Sequence, residues 1–148
     1  MRDFDEWLSK FRVSISSYDY YIDFEKVVKN VEEIKVELNI LNSLIGSKNI
    51  EEEFEAIVKK YPETLKCVPL LLAVRGNEIY AQDEDGAFLY NFKTMNYDVE
   101  QYKVFMRKTG LFDMIANHLV NNLVDYALGI ETGLDTNRKK NRGGHQME

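Results

Sequence analysis

Four cations fall within five positions near the end of the chain: Arg138, Lys139, Lys140 and Arg142. Thr136, Asn137 and Asn141 lie among them, and Gly143-Gly144 and His145 follow. Clustered Arg and Lys suit phosphate oxygens, and short amides beside them suit base edges, so this stretch has the composition of a nucleic-acid contact. No apolar periodicity runs through residues 133–148, so the segment is not built to form a core and is expected to be irregular and polar. Composition alone favours a solvated basic tail over a binding site.

The rest of the chain narrows those options. Its 148 residues carry a net charge of −6, so the molecule as a whole repels polyanions and any nucleic-acid contact must come from a local patch. Binding through so small a patch is expected to be weak and steeply salt-dependent. Cys67 is the single cysteine, which excludes an intramolecular disulfide and fits a reducing cytoplasm. It sits in the apolar run 65–74 and is expected to be a buried thiol. Lys66 and Pro69 interrupt that run, which is far shorter than the ~20 residues of a membrane span. The acidic, amphipathic N-terminus has no signal-peptide core. A cytoplasmic protein with no membrane partner is expected.

Other chemistry is excluded by spacing. A metal nuclease of the PD-(D/E)XK type needs an Asp and a Glu-x-Lys on adjacent strands. Asp23 followed by Glu33-Ile-Lys35 matches only as letters, because Glu33 and Lys35 are about 200° apart on a helix of ~3.6 residues per turn. One cysteine with His118 and His145 cannot make a zinc cluster. Asp83-x-Asp85-Gly86 lacks the twelve-residue loop and closing Glu of a calcium site, so it reads as a turn. No Gly-rich phosphate loop follows a strand, and no catalytic triad can be assembled.

The positioning elements follow from periodicity. Val27, Val31, Ile34, Leu38, Leu41 and Ile45 keep one stripe on a single helix that Gly46 stops. Asn49 caps a second helix, with Glu52 completing a capping box, and Pro62 ends it and opens a short third. Residues 78–82 and 87–92 flank Asp83-Glu-Asp-Gly86 as a β-hairpin. Asn96 is the expected cap of a helix with Val99, Tyr102, Phe105 and Met106 on one face. The columns Leu111, Ile115, Leu119, Leu123, Ala127 and Phe112, Ala116, Val120, Val124, Leu128 predict one long central helix, with Leu119 and Leu123 in the core. His118 borders its polar side and is expected to be solvated. The fold class is α+β, predominantly helical with one hairpin: residues 1–132 form the domain and 133–148 the basic segment.

Gly133-Leu-Asp-Thr-Asn-Arg-Lys-Lys-Asn-Arg-Gly-Gly-His-Gln-Met-Glu148 resembles the signature that precedes the catalytic core in the GATC-cleaving type II restriction endonucleases of the DpnII/MboI family. Residues 41–50, 61–72 and 117–126 resemble further segments of that family in the same order, so the resemblance covers nearly the whole chain. It implies an endonuclease of the PD-(D/E)XK type that recognises duplex GATC, cuts with Mg²⁺ and usually acts as a dimer. It further implies that this chain is an N-terminal portion whose core sheet and complete metal site lie beyond it. Glu148 matches the glutamate that opens the first core helix, a tentative catalytic position. The resemblance places Asn137, Arg138, Lys139, Lys140, Asn141, Arg142 and His145 at the DNA, with Asp135, Thr136, Gly143 and Gly144 shaping the turn. Arg138 departs from the family pattern, which usually has a small residue there. A helical interaction or regulatory protein that kept the scaffold without cleavage is the alternative of another class.

Overall fold

The computed structural model describes residues 24–147, with side chains from 25 to 135. Helix α1 (Phe24–Glu32) is followed by α2 (Lys35–Leu41) and a 3-10 turn at Asn42–Leu44. The stripe expected on one helix is therefore split at Glu33-Ile34. The amide of Ile34 donates to the carbonyl of Val31 at 3.0 Å, a tightened turn that re-aims the chain. Val27, Val31, Leu38 and Leu41 stay buried on both sides of the break. The break lets both short helices pack against the last helix of the chain.

Helix α3 (Ile50–Lys60) starts at Asn49 as expected, but the Asn49 side chain makes no capping bond. Instead the Asn49 amide donates to Ser47 Oγ at 3.1 Å. Glu51, Glu52 and Glu53 at its start and Lys59 and Lys60 at its end complement the helix dipole. Pro62 opens the 3-10 turn Pro62–Cys67, which leads into α4 (Val68–Leu71). Cys67 is buried within it, and burial, then the nearby Glu37 charge, push its thiol up to about 12. A thiol so protonated is no nucleophile.

Strands β1 (Glu78–Asp83) and β2 (Gly86–Asn91) form an antiparallel pair closed by Asp83 opposite Gly86. Asp83 Oδ1 accepts the Asp85 amide at 2.8 Å, and Lys108 reaches Asp83 Oδ2 at 2.7 Å, fastening the hairpin tip to α5 (Val99–Lys108). The inner side of the hairpin supplies Tyr90, whose ring packs tilted against Phe105 and edge-on against Tyr102 at ring separations of 4.7 and 5.5 Å. The cap of α5 is Asp98, whose carboxylate accepts the Gln101 amide at 3.0 Å. Asn96, expected there, serves the hairpin instead: its Nδ2 donates to Leu89 O at 2.6 Å and its Oδ1 accepts the Asn91 amide at 3.0 Å.

The largest departure concerns the expected long helix. It is two helices, α6 (Leu111–Ala116) and α7 (Leu123–Met147), joined by an irregular link. Within the link His118 adopts a left-handed φ of 57°, and Leu119 is 68% exposed. Two asparagines restart the helix: Asn122 Oδ1 accepts the Val124 amide at 2.8 Å, and Asn42 Oδ1 accepts that of Leu123 at 2.7 Å. The His118 ring lies against Gly46, where an added Cβ would sit 2.3 Å from Nε2. Gly46 itself has φ of 77° and donates its amide to Ile115 O, so a glycine is needed both for the backbone and for the ring. His118 is exposed, in keeping with a solvated histidine.

The core joins these parts through Phe54 of α3 and Phe112 of α6, edge to face at 5.1 Å. Beside it Lys103, 11% exposed at its side chain, pairs with Glu55 at 3.0 Å and Glu100 at 3.1 Å. The Glu55 carboxyl is lowered to about 2, first by the Lys59 hydrogen bond and then by that of Lys103.

This packing can be probed at two points. Leu123→Ala, at a fully buried position, should lose about 2–5 kcal/mol in denaturant unfolding, while Leu119→Ala should lose about 0.5 kcal/mol or less. Glu55 titrates lower in the folded chain than its unfolded value of about 4.3, so its contribution is present above that pH and lost as pH falls toward 2. The unfolding midpoint of the parent should therefore fall more steeply across that interval than that of Glu55→Gln.

Candidate nucleic-acid interface

Helix α7 spans 25 residues, about 37 Å at ~1.5 Å per residue. Its first half buries Leu123, Val124, Ala127 and Leu128 against α1, α2 and α4. The buried stripe then continues with polar residues: Glu131, Thr132 and Asp135 are 3%, 3% and 1% exposed. Thr132 Oγ1 donates back to Leu128 O at 2.8 Å. Glu131 Oε1 accepts from Arg75 Nη2 at 2.8 Å and from Asn30 Nδ2 at 2.9 Å. Sequence reasoning missed this cluster, because the stripe was followed only to Leu128. Glu131 falls three residues further on the same face, which was the available signal.

Beyond Asp135 the backbone stays helical to Met147, so residues 136–147 are not the irregular segment the sequence suggested. Arg and Lys are good helix formers, and elongating an anchored helix is far easier than nucleating a new one. Thr136, Asn137, Arg138, Lys139, Lys140, Asn141, Arg142, Gly143, Gly144 and His145 thus lie on one helix, although their side chains lie outside the described residues, as does all of Glu148. Of the residues assigned to shaping a turn, Asp135 has a described side chain, and it is buried in the helix. At ~3.6 residues per turn, positions 138, 142 and 145 follow 131 and 135 along one face, while 139 and 140 swing away from it.

Elsewhere the arrangement offers little chemistry. Among the described residues no group of three or more His, Cys, Asp or Glu is placed to hold a metal ion. Glu33 sits in the α1–α2 break and Lys35 pairs with Glu32, while Asp23 lies outside the described residues. The hairpin-tip carboxylates Asp83, Glu84 and Asp85 already share Lys108, at 2.7, 3.4 and 3.5 Å. Among the described residues no helix is long and apolar enough to cross a membrane.

The family model for the DpnII restriction endonuclease matches residues 3–148. The chain belongs to the DpnII restriction endonuclease family. It is 53% identical over 148 residues to the type II restriction enzyme DpnII of Streptococcus pneumoniae, covering 99% of this chain and 51% of that protein. Identity to the type II restriction enzyme MjaIII of Methanocaldococcus jannaschii is 39% over 151 residues, 99% of this chain and 52% of the relative. The type II restriction enzyme MboI of Moraxella bovis is 34% identical over 144 residues, 97% and 51% of the two chains. This DpnII-family chain thus spans about half the length of the curated relatives it matches. No solved structure matches it.

The helical course of 136–147 has a direct check. Gly143→Ala and Gly144→Ala should each favour the helix by about 0.5–1 kcal/mol. Far-UV ellipticity at 222 nm should become more negative in both variants, and no gain in either would show that the segment is not helical in solution.

Proposed function

We propose that this chain is the N-terminal portion of a type II restriction endonuclease that recognises duplex GATC, and that the full-length form hydrolyses DNA phosphodiesters with Mg²⁺. The observation that carries it is the continuity of α7. One helix runs from the buried core into a segment with four cations in five positions. The names of the relatives, all type II restriction enzymes, supply the reaction class.

The residue types suit the task. A helix fits the ~12 Å major groove, where Arg pairs with guanine and Asn with adenine through two hydrogen bonds each. GATC offers both purines. Lys139 and Lys140 take phosphates; Asn137, Asn141 and Arg142 read base edges, with Arg138 and His145 beside them. Thr136, Gly143 and Gly144 set the backbone between them. The catalytic acids belong to a PD-(D/E)XK core in the other half of the protein, with Glu148 at its entrance. The complete enzyme acts in the cytoplasm as a homodimer on a palindromic site, each copy presenting one helix.

Fluorescence anisotropy on GATC and scrambled duplexes across a salt series tests the proposal. The chain should prefer GATC, and Lys139→Ala or Lys140→Ala should weaken binding to both duplexes. Each of these two substitutions should also lower the salt slope by about one, the value expected when one phosphate is no longer neutralised. Asn141→Ala or Arg142→Ala should erode discrimination by about 1–3 kcal/mol. With Mg²⁺ and a GATC plasmid, the 148-residue chain should leave the DNA uncut. Equal binding to both duplexes would favour the helical interaction protein instead.

A further inference from the structure

The cluster of buried Glu131 with Arg75 and Asn30 has no place in the function proposed above. It ties three parts of the chain together: α1 through Asn30, α7 through Glu131, and through Arg75 the loop from α4 to β1. The Glu131 side chain is 4% exposed and that of Arg75 is 40% exposed, at the edge of a groove of about 230 Å³.

A carboxylate in a helix seam is a poor choice for stability alone. Its desolvation offsets much of the attraction to a partner, and an apolar side chain of similar size commonly serves as well or better. What a paired carboxylate adds is direction, since charge-assisted hydrogen bonds fix angle and distance where apolar contacts tolerate sliding. The loop carrying Arg75 is shaped at a cost to reach it. Ala73, two residues earlier, holds a left-handed φ of 60°, a conformation that disfavours any side chain with a Cβ. Val74 then donates to Pro69 O at 2.9 Å, folding the loop back over α4.

We infer that Glu131, Arg75 and Asn30 are positioning residues, which fix the orientation of α7 just before its basic half and so pre-organise residues 136–147 for DNA. The cluster lies seven residues, about two turns, before Arg138 on the same helix face. The DNA part of this inference rests on the proposed function; the ordering of the helix does not. Pre-organisation lowers the ordering cost at binding without adding a group that touches the ligand. Removing it therefore weakens binding and leaves the number of neutralised phosphates unchanged.

Hydrogen exchange and duplex binding on Arg75→Ala, Arg75→Lys and Glu131→Gln separate the possibilities. Amides of 133–147 should exchange about tenfold faster in Arg75→Ala and Glu131→Gln, with those of α5 unchanged and partial recovery in Arg75→Lys. Affinity for the GATC duplex should fall by about tenfold at an unaltered salt slope. Unchanged exchange in 133–147 would overturn the inference, and so would accelerated exchange throughout the chain, which marks general destabilisation. A lower salt slope in Arg75→Ala with full affinity in Glu131→Gln would also overturn it, since Arg75 would then touch phosphate itself. If the exchange pattern appears but the parent binds no duplex, the ordering of α7 stands and the DNA reading fails.

Discussion

Burial of one face of α7 is the constraint that the rest of the structure satisfies. Helices α1, α2 and α4 all pack against it. The split of the N-terminal stripe into α1 and α2 and the folding back of the α4–β1 loop both serve that cover. A second group, made of α3, α5 and α6, is knit together in part by the Phe54–Phe112 pair and meets the first through the Pro62–Cys67 turn. The hairpin is an outwork of this second group. It is held by the rings of Tyr90, Tyr102 and Phe105 and by Lys108 at its tip.

The sequence was most legible where local chemistry decides the structure. The hairpin turn at Asp83–Gly86, the start of α3 after Asn49 and the Pro62 transition each depend on a few adjacent residues, and each lies where those residues place it. Legibility failed where an apolar rhythm runs through a break. Leu111, Ile115, Leu119 and Leu123 keep an unbroken i+4 spacing, yet the chain turns at His118 and leaves Leu119 in solvent. Periodicity records which residues could share a face, not whether the backbone stays straight. The determinants of this break, Gly46 and Asn42, lie over seventy residues away in sequence.

For the candidate site the balance is similar. The cation cluster was plain from composition, but its helical course was not, because a polar stretch has no stripe to announce a helix. What makes it helical lies upstream, in the anchored half of α7. The cluster that does the anchoring was hidden for a related reason. Glu131 looks like an ordinary surface acid until Arg75 and Asn30, far away in sequence, are brought to it. Charge placement fits the same division of labour: the acids at the hairpin tip are tied to Lys108, and the concentrated cations belong to α7.

The polar stretch in the middle of the α7 seam has one more consequence. A seam of Leu, Val and Ala alone is nearly self-similar, and a helix in such a seam can ratchet by one turn while keeping most of its packing. A single buried carboxylate with fixed partners breaks that degeneracy, as lone polar residues do in coiled coils. One turn of slip is about 5.4 Å along the axis, more than the roughly 3.4 Å between successive phosphates on a strand. Side chains on such a helix would then address the neighbouring base pair. For the GATC recognition proposed above, the ruler's zero mark would then be set inside the protein, at Glu131, and not on the DNA.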